Sequence, residues 1–222
     1  MIGGRIVVVC TANMIRSPFV AGLLASRWAA GAAAGLVVES AGTAARSDLP
    51  VTEEVARLAR TYRFDLTAHR SRRLDEGVLQ TGDTVLCAER AHRRVVLDLR
   101  PDLISSVFTV REFARLVEAP QIRAVASNWP ALVRAAARAR LAARAPGADG
   151  DDDIVDPVGQ AESVWLEFER QATLAVSAIL GAVSALPALD AEATASVRVP
   201  ATRREHRLRA IPPTAPVAPW RS

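Results

Sequence analysis

Residues 10–18 read CTANMIRSP. Five residues separate Cys10 from Arg16, and Ser17 and Pro18 follow at once. Immediately upstream is RIVVV (5–9), an apolar β-branched run of the kind that forms a buried strand. Downstream, SPFVAGLLASRWAA (17–30) places Phe19, Leu23 and Leu24 at helical spacing, with Pro18 suited to a first helical turn. The stretch is therefore a loop between a strand and a helix N-terminus. Backbone amides of residues 11–16 can point into such a loop, and the helix dipole adds positive potential. That combination is an anion site. A cysteine at its start lies in a field that favours thiolate over thiol. Arg16 at its end can grip two oxygens of a phosphate with its planar fork, and Ser17 can donate a hydrogen bond to the sulfur.

The rest of the body alternates in the same way. LVVES (36–40), DTVLCA (83–88) and SSVFTV (105–110) read as strands. TEEVARLARTY (52–62, with Thr52 as N-cap), AERAHRRVVLDL (88–99, stopped by Pro101), REFARLVE (111–118) and a long segment over 160–185 read as helices. Strands alternating with helices imply parallel β-α-β units. The expected fold is α/β, a three-layer α/β/α sandwich on a central four-stranded parallel sheet, with the Cys-x5-Arg loop after the first strand. In such sheets ligands bind beyond the carboxyl ends of the strands, where Cys10, Ser40 and Cys87 fall. The expected organisation is a domain over 1–186 with a helical insert near 120–150, followed by a disordered tail over 187–222. That tail holds six of the 13 prolines.

Composition narrows the functional classes. All 28 basic residues are Arg, and the net charge is +4. The tail carries six Arg against Asp190, Glu192 and Glu205, so the body is near neutral, which argues against nucleic-acid binding. Two cysteines in 222 residues do not form a disulfide framework. No apolar run approaches membrane-spanning length, and the N-terminus lacks a signal-peptide pattern, so a cytoplasmic protein with no membrane insertion is expected. Neither metal-ligand spacing nor a Gly-x-x-x-x-Gly-Lys nucleotide loop occurs; no metal and no cofactor are expected.

CTANMIRSP resembles the phosphate loop of the low-molecular-weight protein tyrosine phosphatases, whose pattern is roughly Cys-x-Gly-Asn-x-Cys-Arg-Ser-Pro. Four further segments match in order: ESAGT (39–43), FDLTAHRSRRL (64–74), TVLCAER (84–90) and DIVDPVG (153–159). The resemblance spans about residues 5–185. It implies that Cys10 is the nucleophile and forms a phosphocysteine. Arg16 would bind phosphate and stabilise the transition state, and Asp156 would act as general acid and then base. It also implies a phosphate-binding loop of Thr11, Ala12, Asn13, Met14, Ile15, Arg16 and Ser17, supported by a network of Asn13, Ser17, Ser40 and His69. The implied substrate is a phosphorylated protein, phosphotyrosine foremost, or a small phosphomonoester.

Two letters depart from the pattern. Ala12 replaces a glycine, which matters if that position needs positive φ. Ile15 replaces the cysteine that can guard the nucleophile as a reversible disulfide. The segments expected to wall the crevice, AARSDLP (44–50) and Val158-Gly159, contain no aromatic residue. The insert near 120–150 is a candidate wall or lid. Cys87, Trp28, Trp129 and Trp165 read as packing residues, and Asp151, Asp152 and Asp153 as a solvated acidic run. Two rival functions share the loop. An arsenate reductase of this fold would relay a disulfide through Cys87 but needs another cysteine within 88–95, where AERAHRRV stands. The other rival is a weakly active phosphoprotein-binding module.

Overall fold

The computed structural model describes residues 4–29, 35–142 and 152–186. Four parallel strands form one sheet in the order β2-β1-β3-β4. They are β1 (Gly4–Cys10), β2 (Leu36–Gly42), β3 (Thr84–Cys87) and β4 (Val107–Thr109). The helices are α1 (Arg16–Ala29), α2 (Glu53–Thr61), α3 (Arg90–Leu99), α4 (Val110–Glu118), α5 (Pro120–Ala124), α6 (Trp129–Ala142) and α7 (Glu162–Ser184). The chain leaves β1 for β2 on one side and reaches β3 on the other. The crevice between the carboxyl ends of β1 and β3 is therefore the topological switch point, and Cys10 ends β1 there.

Side chains of the central strands alternate between two apolar clusters, as the two-residue period of a strand requires. Ile6 and Val8, with Leu86 and Phe108, face a large core closed by α1, α4, α6 and α7. Val7 and Val9 face a smaller one with Val85, Cys87, Val96 of α3 and Val107. Val9 pairs with Cys87 across the ladder, so the Cys87 thiol sits on the α3 side. Cys10 continues the alternation to the other face.

Most expected elements form within two residues of their expected ends. Thr52 caps α2 by accepting from the Val55 amide. β4 is shorter than 105–110 because Thr109 already caps α4. Its hydroxyl accepts from the Glu112 amide while Glu112 accepts from the Thr109 amide, a complete capping box. The short helix α5 was not anticipated. The tail, and the insert beyond residue 142, lie outside the described residues.

The described part of the insert is not a wall or lid. Trp129 is 1% exposed and donates from its indole nitrogen to Thr84 Oγ1 at 2.9 Å. A Cβ on Gly4 would come within 2.9 Å of its ring. Gly4 and Thr84 begin β1 and β3, and Arg140 of α6 bonds the carbonyls of Ile104 and Val107, at and just before the start of β4. This helix therefore closes the amino end of the sheet, opposite Cys10. Trp28 stacks edge-on against Trp129, and Trp165 against Phe168, so these three of the four tryptophans pack on neighbouring rings.

Candidate active site

Residues 10–16 wrap around a common centre because their carbonyls are tied outward. Cys10 O accepts from the Thr43 amide at 2.9 Å, Thr11 O from Ala44 at 2.9 Å, Met14 O from Thr52 at 3.3 Å, and Ile15 O from Phe19 at 3.1 Å. Asn13 O accepts from His69 Nε2 at 2.9 Å. In a planar trans peptide the following N–H points away from the carbonyl. The amides of Thr11, Ala12, Met14, Ile15 and Arg16 are consequently directed into the loop. The Asn13 amide donates to Cys10 Sγ at 3.3 Å.

Asn13 carries the strain. Its φ is +56°, whereas Ala12 has no positive φ, so the Ala-for-Gly replacement costs nothing of the kind considered above. The Asn13 side chain is fully buried. Its amide donates to Ser17 Oγ at 2.9 Å and Ser40 Oγ at 2.8 Å, and its carbonyl accepts from the Arg72 amide at 3.0 Å. The structure thus brings Asn13, Ser17, Ser40 and His69 together. Burial lowers the His69 pKa, opposed by the bond to Asn13 O; Arg70 and Arg72 lower it further.

Gly42 is a site residue that sequence reasoning missed. A Cβ there would lie 2.5 Å from Thr11 O and 2.8 Å from the Asn13 amide, both main-chain atoms that cannot swing aside. Its amide bonds Arg72 O and its carbonyl accepts from Leu74, which fixes segment 72–74 against the loop. The glycine in ESAGT is the available signal.

The thiol and the arginine complete the centre. Cys10 Sγ lies 3.0 Å from Ser17 Oγ. Arg16 is 3% exposed and ringed by acceptors. Nη1 pairs with Glu89 and donates to Ile154 O at 3.3 Å; Nη2 donates to Asp156 Oδ2 at 2.7 Å and Thr11 Oγ1 at 3.3 Å. Two carboxylates compensate this buried cation. Glu89, also missed, is the N-cap residue of α3, yet its side chain does not cap that helix.

The loop bearing Asp156 is anchored on both sides. The Ile154 amide donates to Ala88 O at 2.8 Å and the Val155 amide to Gln171 Oε1 at 3.0 Å. The acidic run is not merely solvated, which corrects the expectation for Asp152 and Asp153. Asp153 accepts from the Arg90 amide at 2.8 Å, Asp152 pairs with Arg115 at 2.6 Å, and Thr109 donates to Asp152 O at 2.9 Å. A polar run opposite arginines on two helices becomes a fastening. Asp151 lies outside the described residues. Asp156 itself is 43% exposed and accepts from the Val158 amide at 3.2 Å.

Ile15 is buried in the main core, so the position carries no thiol near Cys10. Cys87 is fully buried and burial pushes its thiol far up in pKa. Of the expected walls, Leu49 and Val158 are exposed apolar residues.

A family model described as "Low molecular weight phosphotyrosine protein phosphatase" matches residues 5–122. The chain belongs to this family. A curated relative, a probable low molecular weight protein-tyrosine-phosphatase EpsP from Ralstonia solanacearum, is 30% identical over 107 residues, 48% of this chain and 70% of the relative. A second, from Ralstonia nicotianae, is 28% identical over the same shares. The fold of this phosphatase matches solved structures as well. The low molecular weight protein tyrosine phosphatase from T. tengcongensis has a TM-score of 0.58 at 24% identity, covering 81% of this chain and 99% of that one. The YwlE arginine phosphatase from Geobacillus stearothermophilus has a TM-score of 0.57 at 22% identity, covering 80% and 91%. Among the described residues of this phosphatase no helix is long and apolar enough to cross a membrane.

Proposed function

We propose that the protein hydrolyses phosphomonoesters on protein side chains through a phosphocysteine on Cys10. Asp156 serves as general acid and base, and phosphotyrosine is the first substrate. The observation that carries this reading is the convergence on one loop of Cys10 Sγ, the inward amides, and Arg16 bonded to Asp156 at 2.7 Å. An arriving phosphate dianion takes over Arg16 Nη2 and frees Asp156, 43% exposed, to take up a proton from solvent. The thiolate then attacks phosphorus: the S–P bond forms as the ester P–O bond breaks, and protonated Asp156 gives its proton to the leaving oxygen. In the second half Asp156 removes a proton from water, the water oxygen bonds phosphorus, and sulfur leaves as thiolate stabilised by Ser17 and the Asn13 amide.

The test is turnover of p-nitrophenyl phosphate. Cys10→Ser abolishes it, and Asp156→Ala lowers kcat by about 100-fold or more. Wild-type turnover unaffected by either change defeats the reading, and phosphate binding without turnover favours a binding module. A thiol relay to arsenate is not supported, because Cys87 is on the opposite face of the sheet from Cys10. One observation favours a second substrate: neither 44–50 nor 157–159 carries an aromatic residue to stack on a phenyl ring. A phosphoryl group on a non-aromatic side chain, such as phosphoarginine, fits these walls too. Paired peptides bearing phosphotyrosine or phosphoarginine separate the two by kcat/KM.

A further inference from the structure

His92 is not among the residues the sequence singled out. It sits in the first turn of α3 and is 4% exposed. Its Nε2 lies 2.9 Å from Thr11 Oγ1, while its Nδ1 is buried without a hydrogen-bond partner. Thr11 Oγ1 also accepts from Arg16 Nη2. Arginine can only donate, and a hydroxyl has a single proton. The hydroxyl keeps a second lone pair, so its bond to His92 Nε2 can run either way; when the Thr11 proton points to Nε2, the neutral ring carries its own proton on Nδ1. A buried N–H with no acceptor is uncommon in a folded protein and calls for a reason. The start of α3 thus holds Arg16 twice: directly through Glu89, and through Thr11 by way of His92.

We propose that His92, in its neutral form, is a positioning residue that accepts the Thr11 hydroxyl proton and so aims Arg16 Nη2 at the phosphoryl oxygens. This rests on the phosphatase reading above. The groups facing the ring are Glu89 at the start of α3, Arg16 of α1, and Asp153 and Asp156 of the 152–158 loop. Burial lowers the pKa of His92 most; Glu89 opposes this, Arg16 adds to it, and Asp156 and Asp153 oppose it. The neutral form consequently prevails at neutral pH. Protonation in acid turns Nε2 into a donor, reverses the bond to Thr11 and sets a cation beside Arg16.

The experiment compares wild type, His92→Leu, His92→Gln, Thr11→Val and the Thr11→Val/His92→Leu double variant. Turnover of p-nitrophenyl phosphate is followed from pH 5 to 8, and inorganic phosphate binding is measured by calorimetry. His92→Leu lowers kcat/KM and weakens phosphate about five- to tenfold, the loss expected for one hydrogen bond. His92→Gln, whose amide oxygen can accept, restores most of it. The double variant falls no further than either single change, because both cut the same relay. The acid limb of kcat/KM is shallower in His92→Gln than in wild type. Additive losses in the double variant overturn the proposal, as does a His92→Leu protein with unchanged phosphate affinity and acid limb. Should wild type bind phosphate without turning over the ester, the phosphatase reading fails and the phosphate affinities still decide the role of His92.

Discussion

At the scale of single residues, the site depends on how closely main-chain atoms approach one another. Gly42 shows this most sharply, because any Cβ there meets the Thr11 carbonyl at 2.5 Å. Gly42→Ala is expected to push the loop off its geometry and lower kcat/KM about 100-fold, the scale of a 1 Å misplacement, with a normal far-UV spectrum. Wild-type kinetics in that variant would contradict the account. Cys10 and Cys87 give a second prediction. They lie on opposite faces of the sheet, and Ile15 fills the position beside the nucleophile. Oxidised Cys10 has no partner thiol with which to stop at a disulfide, so it proceeds to sulfinic acid. Peroxide inactivation should therefore be poorly reversed by dithiothreitol, whereas full recovery of activity refutes this. Cys10, Asn13, Arg16, Ser40, His69 and Asp156, which the structure gathers around the 10–16 loop, were legible in the sequence because each has a motif around it. Gly42, Glu89 and His92 were not, since their importance lies in distances across the fold: to Thr11 O, to Arg16 Nη1 and to Thr11 Oγ1.

At the scale of elements, the helices divide the labour. α1 begins at Arg16 and the N-cap residue of α3, Glu89, pairs with that arginine, while α6 holds the far end of the sheet through Trp129 and Arg140. Trp129→Ala removes a buried ring and the bond to Thr84, and should cost about 3–5 kcal/mol of stability. The protein that remains folded should keep wild-type kcat, because Trp129 stands at the amino end of the strands. Urea unfolding measured with p-nitrophenyl phosphate kinetics checks both halves; a large fall in kcat at full folding would mean that α6 reaches the site. A helical insert near 120–150 was expected from the sequence, but not the seat of α6. Which face of the sheet a helix covers, and at which end, is set by long-range packing that a local pattern does not encode. The same limit explains Asp152 and Asp153, whose arginine partners come from α3 and α4.

For the molecule as a whole, stability should depend on pH through the half-buried His69 and the buried His92. Burial lowers the pKa of both His69 and His92 below the usual 6.5. Between their folded values and about 6.5 the unfolded chain holds more protons than the folded one, so stability rises with pH across that window and is complete above it. The carboxylates held down by arginine, such as Glu39 and the exposed Glu167 at about 2, act in the same direction but only in stronger acid. The urea midpoint should accordingly be higher at pH 7.5 than at pH 5.5, and His69→Gln and His92→Gln should each flatten the difference. Equal midpoints in wild type would show that neither ring is held neutral by the fold.

The outward-tied carbonyls of residues 10, 11, 13, 14 and 15 have an evolutionary corollary. A receptor assembled from peptide groups places little demand on the side chains it hangs between. Mutational tolerance around the loop should then be uneven in a way that residue type alone does not predict. Positions 12 and 14 should accept other small and apolar letters, whereas Asn13 is held by its positive φ and side-chain bonds and Gly42 by its contact with Thr11 O.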